Sequence, residues 1–142
     1  MKKKYKDSIE YKVLLRIDKI RSNVVLRKEL LDLGSYRQIS RAINKIITAK
    51  KLVRIGAGIY AKAYVSTYTN VVLIKDGFEY ACREALTKLG IQWEPDSATQ
   101  KYNAGLTTQI PMWNAVQLKS RFRGKIGYND RKLIIEKKIN AK

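Results

Sequence analysis

Apolar residues recur every three or four positions at Ile9, Val13, Ile17 and Ile20, and again at Ile39, Ala42, Ile43, Ile46 and Ile47. Both runs follow the 3.6-residue period of an amphipathic helix. The first predicts a core-forming helix from Ser8 to near Ser22-Asn23. The second predicts a helix capped by Ser35, with Gln38 three residues later completing a capping-box pattern. Between them, Val24-Val25-Leu26 is long enough only for a bridging strand. Residues Arg27 to Leu33 predict a two-turn helix ended by Gly34, whose missing Cβ permits a left-handed terminal residue. After the second periodic run, two stretches rich in Val, Ile and Tyr between Leu52 and Val65 flank Gly56-Ala57-Gly58. This pattern predicts a tight hairpin with positive φ at one or both glycines.

The order of these parts, with Gly34 as the turn between two helices and a glycine hairpin after the second, is that of a winged helix-turn-helix. Beyond residue 66 the pattern changes. Val71-Val72-Leu73-Ile74 reads as a buried strand and Asp76-Gly77 as a turn. A helix follows with Phe78, Ala81, Cys82, Ala85, Leu86 and Leu89 on one side, ended by Gly90. Pro95 breaks the chain, and Ser97 with Gln100 repeats the capping-box spacing for a short helix closing at Gly105. Thr107 to Trp113 reads as a loop entering a strand. The expected fold class is α+β: a winged helix-turn-helix over residues 1–66, then a small α/β carboxy-terminal domain over 67–142 that carries a basic strand or loop region.

Charge makes the outer parts of this layout a candidate for polyanion binding. The formal net charge is +18 over 142 residues, an excess that repels itself in a compact state and suits a polyanionic partner. Residues 1–66 carry 17 basic and five acidic side chains and residues 111–142 carry nine and two, whereas 78–110 carry three and four. Nucleic acid is the first candidate, ahead of an anionic membrane surface. No apolar run approaches the roughly 18 residues that span a bilayer, and the amino end is charged, so a soluble, cytoplasmic protein without a membrane partner is expected. The chain has one cysteine and no histidine, which removes the usual general base and the commonest zinc ligand. Acidic residues are scattered singly. No enzyme activity, metal or cofactor is expected, and Cys82 within its apolar stripe reads as a core residue.

The helix after Ser35 leaves Arg37, Ser40, Arg41, Asn44, Lys45 and Thr48 outward. Arg can donate two hydrogen bonds to guanine and Asn can pair with adenine in the major groove. Any solvated surface helix shows such a face, but its place before a glycine hairpin on so basic a chain favours a DNA reader. The candidate DNA-binding residues are therefore Arg27, Lys28, Ser35, Tyr36, Arg37, Gln38, Ser40, Arg41, Asn44 and Lys45, with Arg54, Gly56, Ala57 and Gly58 in the wing. Lys62 after the wing turn is a further phosphate candidate, as is the basic arm Lys2, Lys3, Lys4 and Lys6. A second basic surface is expected at Lys119, Arg121, Arg123, Lys125 and Arg131, since a β conformation puts the first four on one face with Tyr128 nearby for stacking. Such a strand also reads as an edge that discourages aggregation.

Leu30-Leu31-Asp32-Leu33-Gly34-Ser35 through Gly58-Ile59-Tyr60 resembles the amino-terminal winged helix of the AbiEi-like antitoxin family. Ala85 to Gly90, Tyr102-Asn103-Ala104-Gly105, Thr107 to Pro111 and Ile126-Gly127-Tyr128 are similar to the carboxy-terminal region of small proteins in that group. The resemblance implies a bacterial or mobile-element regulator that represses its own promoter by binding a double-stranded operator. It also implies a nucleotidyltransferase-like toxin as operon neighbour, opposed without a stable complex. The chain is shorter than the full-length pattern, with a reduced carboxy-terminal part. Three alternatives stay open: an RNA-binding or ribosome-associated protein using 119–125 and Tyr128, a carboxy-terminal module that contacts a toxin directly, and a homodimer on a palindromic operator.

Overall fold

A computed structural model describes residues 8–110 and 114–136; the basic arm Lys2 to Lys6 and the segment Pro111 to Trp113 lie outside the described residues. The architecture is mixed α+β. Helix α1 (Ile9–Lys19) leads to strand β1 (Val24–Leu26), a 3-10 helix (Arg27–Leu33), α2 (Tyr36–Thr48) and the hairpin of β2 (Leu52–Gly56) and β3 (Ile59–Val65). Then come β4 (Val72–Ile74), α3 (Phe78–Lys88), β5 (Trp93–Pro95), α4 (Ser97–Asn103), β6 (Ala115–Leu118), the short pair β7 (Gly127–Tyr128) and β8 (Arg131–Lys132), and β9 (Ile134–Glu136).

Strand β3 is the spine. Its first half pairs antiparallel with β1 on one edge and β2 on the other, and its second half pairs with β4. Side chains on a strand alternate between faces, and here both faces are buried. Val25, Leu52 and Tyr60 pack on one side with Val13 and Ile17 of α1, Leu30, and Ile39, Ala42, Ile43 and Ile46 of α2. Val24, Leu26, Val53, Ile59 and Ala61 pack on the other with Phe78, Ala81, Cys82, Ala85 and Leu86 of α3, and with Val116 and Ile126. The position after residue 66 thus falls in the β3–β4 connection, above a core to which both halves of the chain contribute. A second sheet, β5-β6-β9, is antiparallel at β5–β6 and parallel at β6–β9.

Polar contacts join the halves as well. The Lys88 ammonium of α3 donates to Ser22 Oγ, to Val24 O at 2.8 Å and to the Glu29 carboxylate. Asn23 N–H donates to Glu84 at 2.8 Å, and its side-chain amide donates to Asp76. On the surface Arg16 pairs bidentately with Asp32; that hydrogen bond holds the Asp32 carboxyl below its ordinary value.

Several local expectations change. The segment Arg27–Leu33 is a 3-10 helix, and Gly34 has φ 172°, an extended rather than left-handed backbone. Proximity is what constrains Gly34: a Cβ there would lie 3.0 Å from Gln38 Oε1 and 3.3 Å from Ile9 Cδ1. In β4 only Ile74 is buried, while Val71 and Leu73 are exposed, because the strand lies at the sheet edge with one face on the core. Helix α4 is capped by Asp96, whose side chain accepts from Thr99 N–H, one residue before the expected Ser97. Ser97 instead donates through N–H and Oγ to Glu136, and these bonds hold that carboxyl below its ordinary value. Positive φ at Asp76, Gly77, Gly90 and Gly105 fits the predicted turns.

Because α3, Val116 and Ile126 cover one sheet face, a fragment ending at residue 66 should bind a hydrophobic dye and unfold without a cooperative transition. A sharp melt for that fragment would show that the sheet needs no second cover. Burial raises the Cys82 thiol from its ordinary 9.0 to about 11, with the hydrogen bond from Asn114 opposing it. At about pH 8 a thiol-alkylating reagent should therefore label the native protein far more slowly than the denatured one; equal rates would contradict this packing.

Candidate nucleic-acid interface

Helix α2 begins where Ser35 and Gln38 satisfy each other. Ser35 Oγ accepts from Gln38 N–H at 3.2 Å and Gln38 Oε1 accepts from Ser35 N–H at 2.9 Å, so two of the four unpaired amides of a helix start find partners. The buried stripe of Ile39, Ala42, Ile43 and Ile46 turns the opposite side of α2 outward. Arg37, Arg41 and Asn44 are exposed there, and among the described residues their side chains make no hydrogen bond or ion pair. Lys45 is also exposed, with its ammonium 3.6 Å from Glu10 of α1. Thr48 Oγ1 donates back to Asn44 O at 2.8 Å.

The β2–β3 turn is Ala57-Gly58, with a register shift between Arg54 and Gly56. Only Gly58 of its glycines has positive φ, at 69°. Its carbonyl accepts from Arg27 N–H at 2.9 Å, so the turn is fastened to the start of the 3-10 helix. Arg27 then reaches the other way. Its guanidinium stacks 3.9 Å from the Tyr36 ring centroid and donates to Tyr36 O at 2.8 Å and Ser40 Oγ at 2.7 Å. One residue thereby ties the hairpin turn to the first turn of α2, with cation–π attraction adding to the two donated bonds.

These contacts divide the candidate residues by role. Arg27, Ser35, Gln38 and Ser40 are engaged within the chain, and Tyr36, although 72% exposed, carries the Arg27 guanidinium on its ring. Lys28 and Ala57 are exposed. Arg54 is exposed and lies along the hairpin, its Nε donating to Gly56 O at 3.2 Å. Lys62 does not face outward with it: its ammonium donates to Ile20 O at the end of α1. Burial, then the nearby Lys75 charge, lowers its proton affinity.

Residues 119–125 are not a strand. Beyond β6 the pairing with the β5 side reaches only Lys119, whose N–H donates to Gln92 O at 2.9 Å and whose ammonium pairs with Glu94 at 2.7 Å; from there to β7 the backbone is irregular, and the Phe122 ring folds over Gly124. A Cβ on Gly124 would lie 2.6 Å from Phe122 Cζ. Arg121, Arg123, Lys125 and Arg131 are exposed. Tyr128 is half-buried and packed against the shared core, so its ring is not an open stacking platform. Sequence reasoning missed that Gly56 touches this segment, since a Cβ on Gly56 would lie 2.9 Å from Lys125 O. The glycine itself was the only local signal.

Among the described residues no cluster of three or more His, Cys, Asp or Glu could hold a metal ion, and no helix is long and apolar enough to cross a membrane. Compared with protein families, curated proteins and solved structures, the chain matches none.

The capping pair sets where α2 starts and so where Arg37 and Arg41 stand. Ser35→Ala should cost about 0.5–2 kcal/mol of stability, read from denaturant midpoints at unchanged slope. A shift indistinguishable from zero would remove Ser35 from that role.

Proposed function

We propose that this protein is a sequence-specific, double-stranded DNA-binding regulator in which residues 9–65 form a winged helix-turn-helix. The 3-10 helix and α2 are its helix-turn-helix, joined at Gly34-Ser35, and the β2–β3 hairpin is its wing. The observation that carries this reading is the Arg27 bridge between the wing turn and the start of α2, beside an outward face where Arg37, Arg41 and Asn44 have no partner among the described residues. In the proposed complex α2 enters the major groove, with Arg37, Arg41 and Asn44 toward base edges and Lys45 toward phosphate. Arg54 and the backbone at Ala57-Gly58 meet the flanking sugar-phosphate chain. Arg27 and the Ser35–Gln38 pair position these groups without reading bases themselves. The net charge of +18 supplies sequence-independent attraction.

The resemblance to AbiEi-like antitoxins extends this reading to a regulator that represses its own promoter, beside a gene for a nucleotidyltransferase-like toxin that it opposes without a stable complex. That extension rests on the resemblance alone. A homodimer is compatible with it, and protection of two half-sites about one helical turn apart would be its signature.

Footprinting on the region upstream of its own gene tests duplex recognition and autoregulation together: a protected, competitor-resistant site is expected, and displacement by structured RNA in preference to any duplex would reject the reading. Arg41→Ala should cost about 1–3 kcal/mol on the protected site and much less on random duplex, whereas Lys45→Ala should weaken both alike. Equal losses for Arg41→Ala on the two duplexes would exclude base reading by Arg41.

A further inference from the structure

We propose that Arg121, Arg123 and Lys125 form a phosphate-binding extension of the wing, so that one duplex is held by α2, the β2–β3 turn and this carboxy-terminal segment together. This inference rests on the duplex-DNA reading above and adds a surface from the far end of the chain to it.

The segment is fixed in place rather than free to trail. Ile126, only 4% exposed, is anchored in the core shared with Val53, Ile55 and Ile59 of the hairpin, and Phe122 packs against the same core. These two apolar anchors bracket the segment, and Gly124 accommodates the Phe122 ring between them. Arg123 and Lys125 are left outward, with Arg121 just before the first anchor. Contact with the wing is direct, since Lys125 O sits where a side chain on Gly56 would have to be. Two residues further on, Gly58 O is held by Arg27, which in turn grips the first turn of α2. Hairpin residues 56–58 are therefore flanked by the base of α2 through one contact and by the basic segment through another.

Charge and aromatic placement select the ligand. Among the described residues Arg121, Arg123 and Lys125 have no ion pair, in contrast to Lys119, which Glu94 neutralises. Three unpaired cations beside a wing suit the backbone of a duplex, to which Arg and Lys contribute position without sequence information. A single strand would call for exposed rings between the cations, whereas Phe122 and Tyr128 are both packed on the core. Lys119 is not part of the set.

The test measures binding of the full chain to a duplex enriched from a random-sequence pool, over a series of salt concentrations. A variant combining Arg121→Ala, Arg123→Ala and Lys125→Ala should lower the slope of log affinity against log salt by about 2–3, as expected for the loss of up to three phosphate contacts. It should weaken enriched and random duplexes by the same factor and shorten the hydroxyl-radical footprint at one edge. A companion variant, Arg121→Lys with Arg123→Lys, should retain the wild-type slope, and both should melt at the wild-type temperature. If the wild type binds duplex but the alanine variant keeps its slope and footprint, the extension is wrong and the DNA reading stands. If that variant keeps its duplex slope but loses affinity for structured RNA, the segment serves RNA and the inference falls. A wild type with no duplex binding overturns both, and is recognised before any variant is made.

Discussion

The central constraint on this molecule is that a small sheet, β1-β3-β2, is apolar on both faces and must be covered twice. Val25, Leu52 and Tyr60 face α1, the 3-10 helix and α2, while Val24, Leu26, Val53, Ile59 and Ala61 face α3 and the carboxy-terminal segment. Burial of this kind dominates folding energetics and has no directional preference. Direction comes from the polar contacts laid across it, above all Lys88 of α3 bound to Val24 O and Glu29. A partly buried ammonium with three acceptors in place favours this crossing of α3 over ones in which Lys88 would lose them.

The candidate interface inherits its order from that sandwich. The helical cover orients α2, the sheet carries the hairpin, and the second cover brings Lys125 against Gly56. Cations on so basic a chain then sort themselves by neighbours. Arg16, Arg27, Lys62, Lys88 and Lys119 each have an acceptor within the chain, whereas Arg37, Arg41, Arg121, Arg123 and Lys125 have none among the described residues. Net charge alone does not distinguish these groups, although only the second holds no acceptor within the described chain.

Features decided within one turn of chain were legible in the sequence. The Ser35–Gln38 pair, the stripe of α2, the Ala57-Gly58 turn and the buried Cys82 face all follow from spacing and local backbone preference. Features decided by distant neighbours were not. Lys62 sits at a strand position from which a long side chain can reach solvent or the end of α1, and only the packing of α1 on the sheet selects Ile20 O. Alternating cations at 119–125 suggest a strand, but pairing with the β5 side stops at Lys119 and Phe122 turns back over Gly124. Gly34 looked like a left-handed stop, yet what excludes a side chain there is Ile9 from a different helix and Gln38 from the next. The shared core has the same origin: the change in composition near residue 66 falls in the β3–β4 connection, and only packing shows that α3 beyond it covers the same sheet as the helices before it.

The second cover has a consequence for the order in which the chain is made. Synthesis proceeds from the amino end, and segments fold as they emerge. The helical cover and β1-β3-β2 emerge before α3 does, and the face carrying Val53, Ile55 and Ile59 is covered first by α3 and completed only when Val116 and finally Ile126 follow. Until those segments emerge, part of that apolar face stays exposed beside the basic helix α2, the kind of surface that chaperones recognise. Closure by Ile126 ends that exposure and seats Lys125 against Gly56 in the same step, so the candidate interface and the core are completed together.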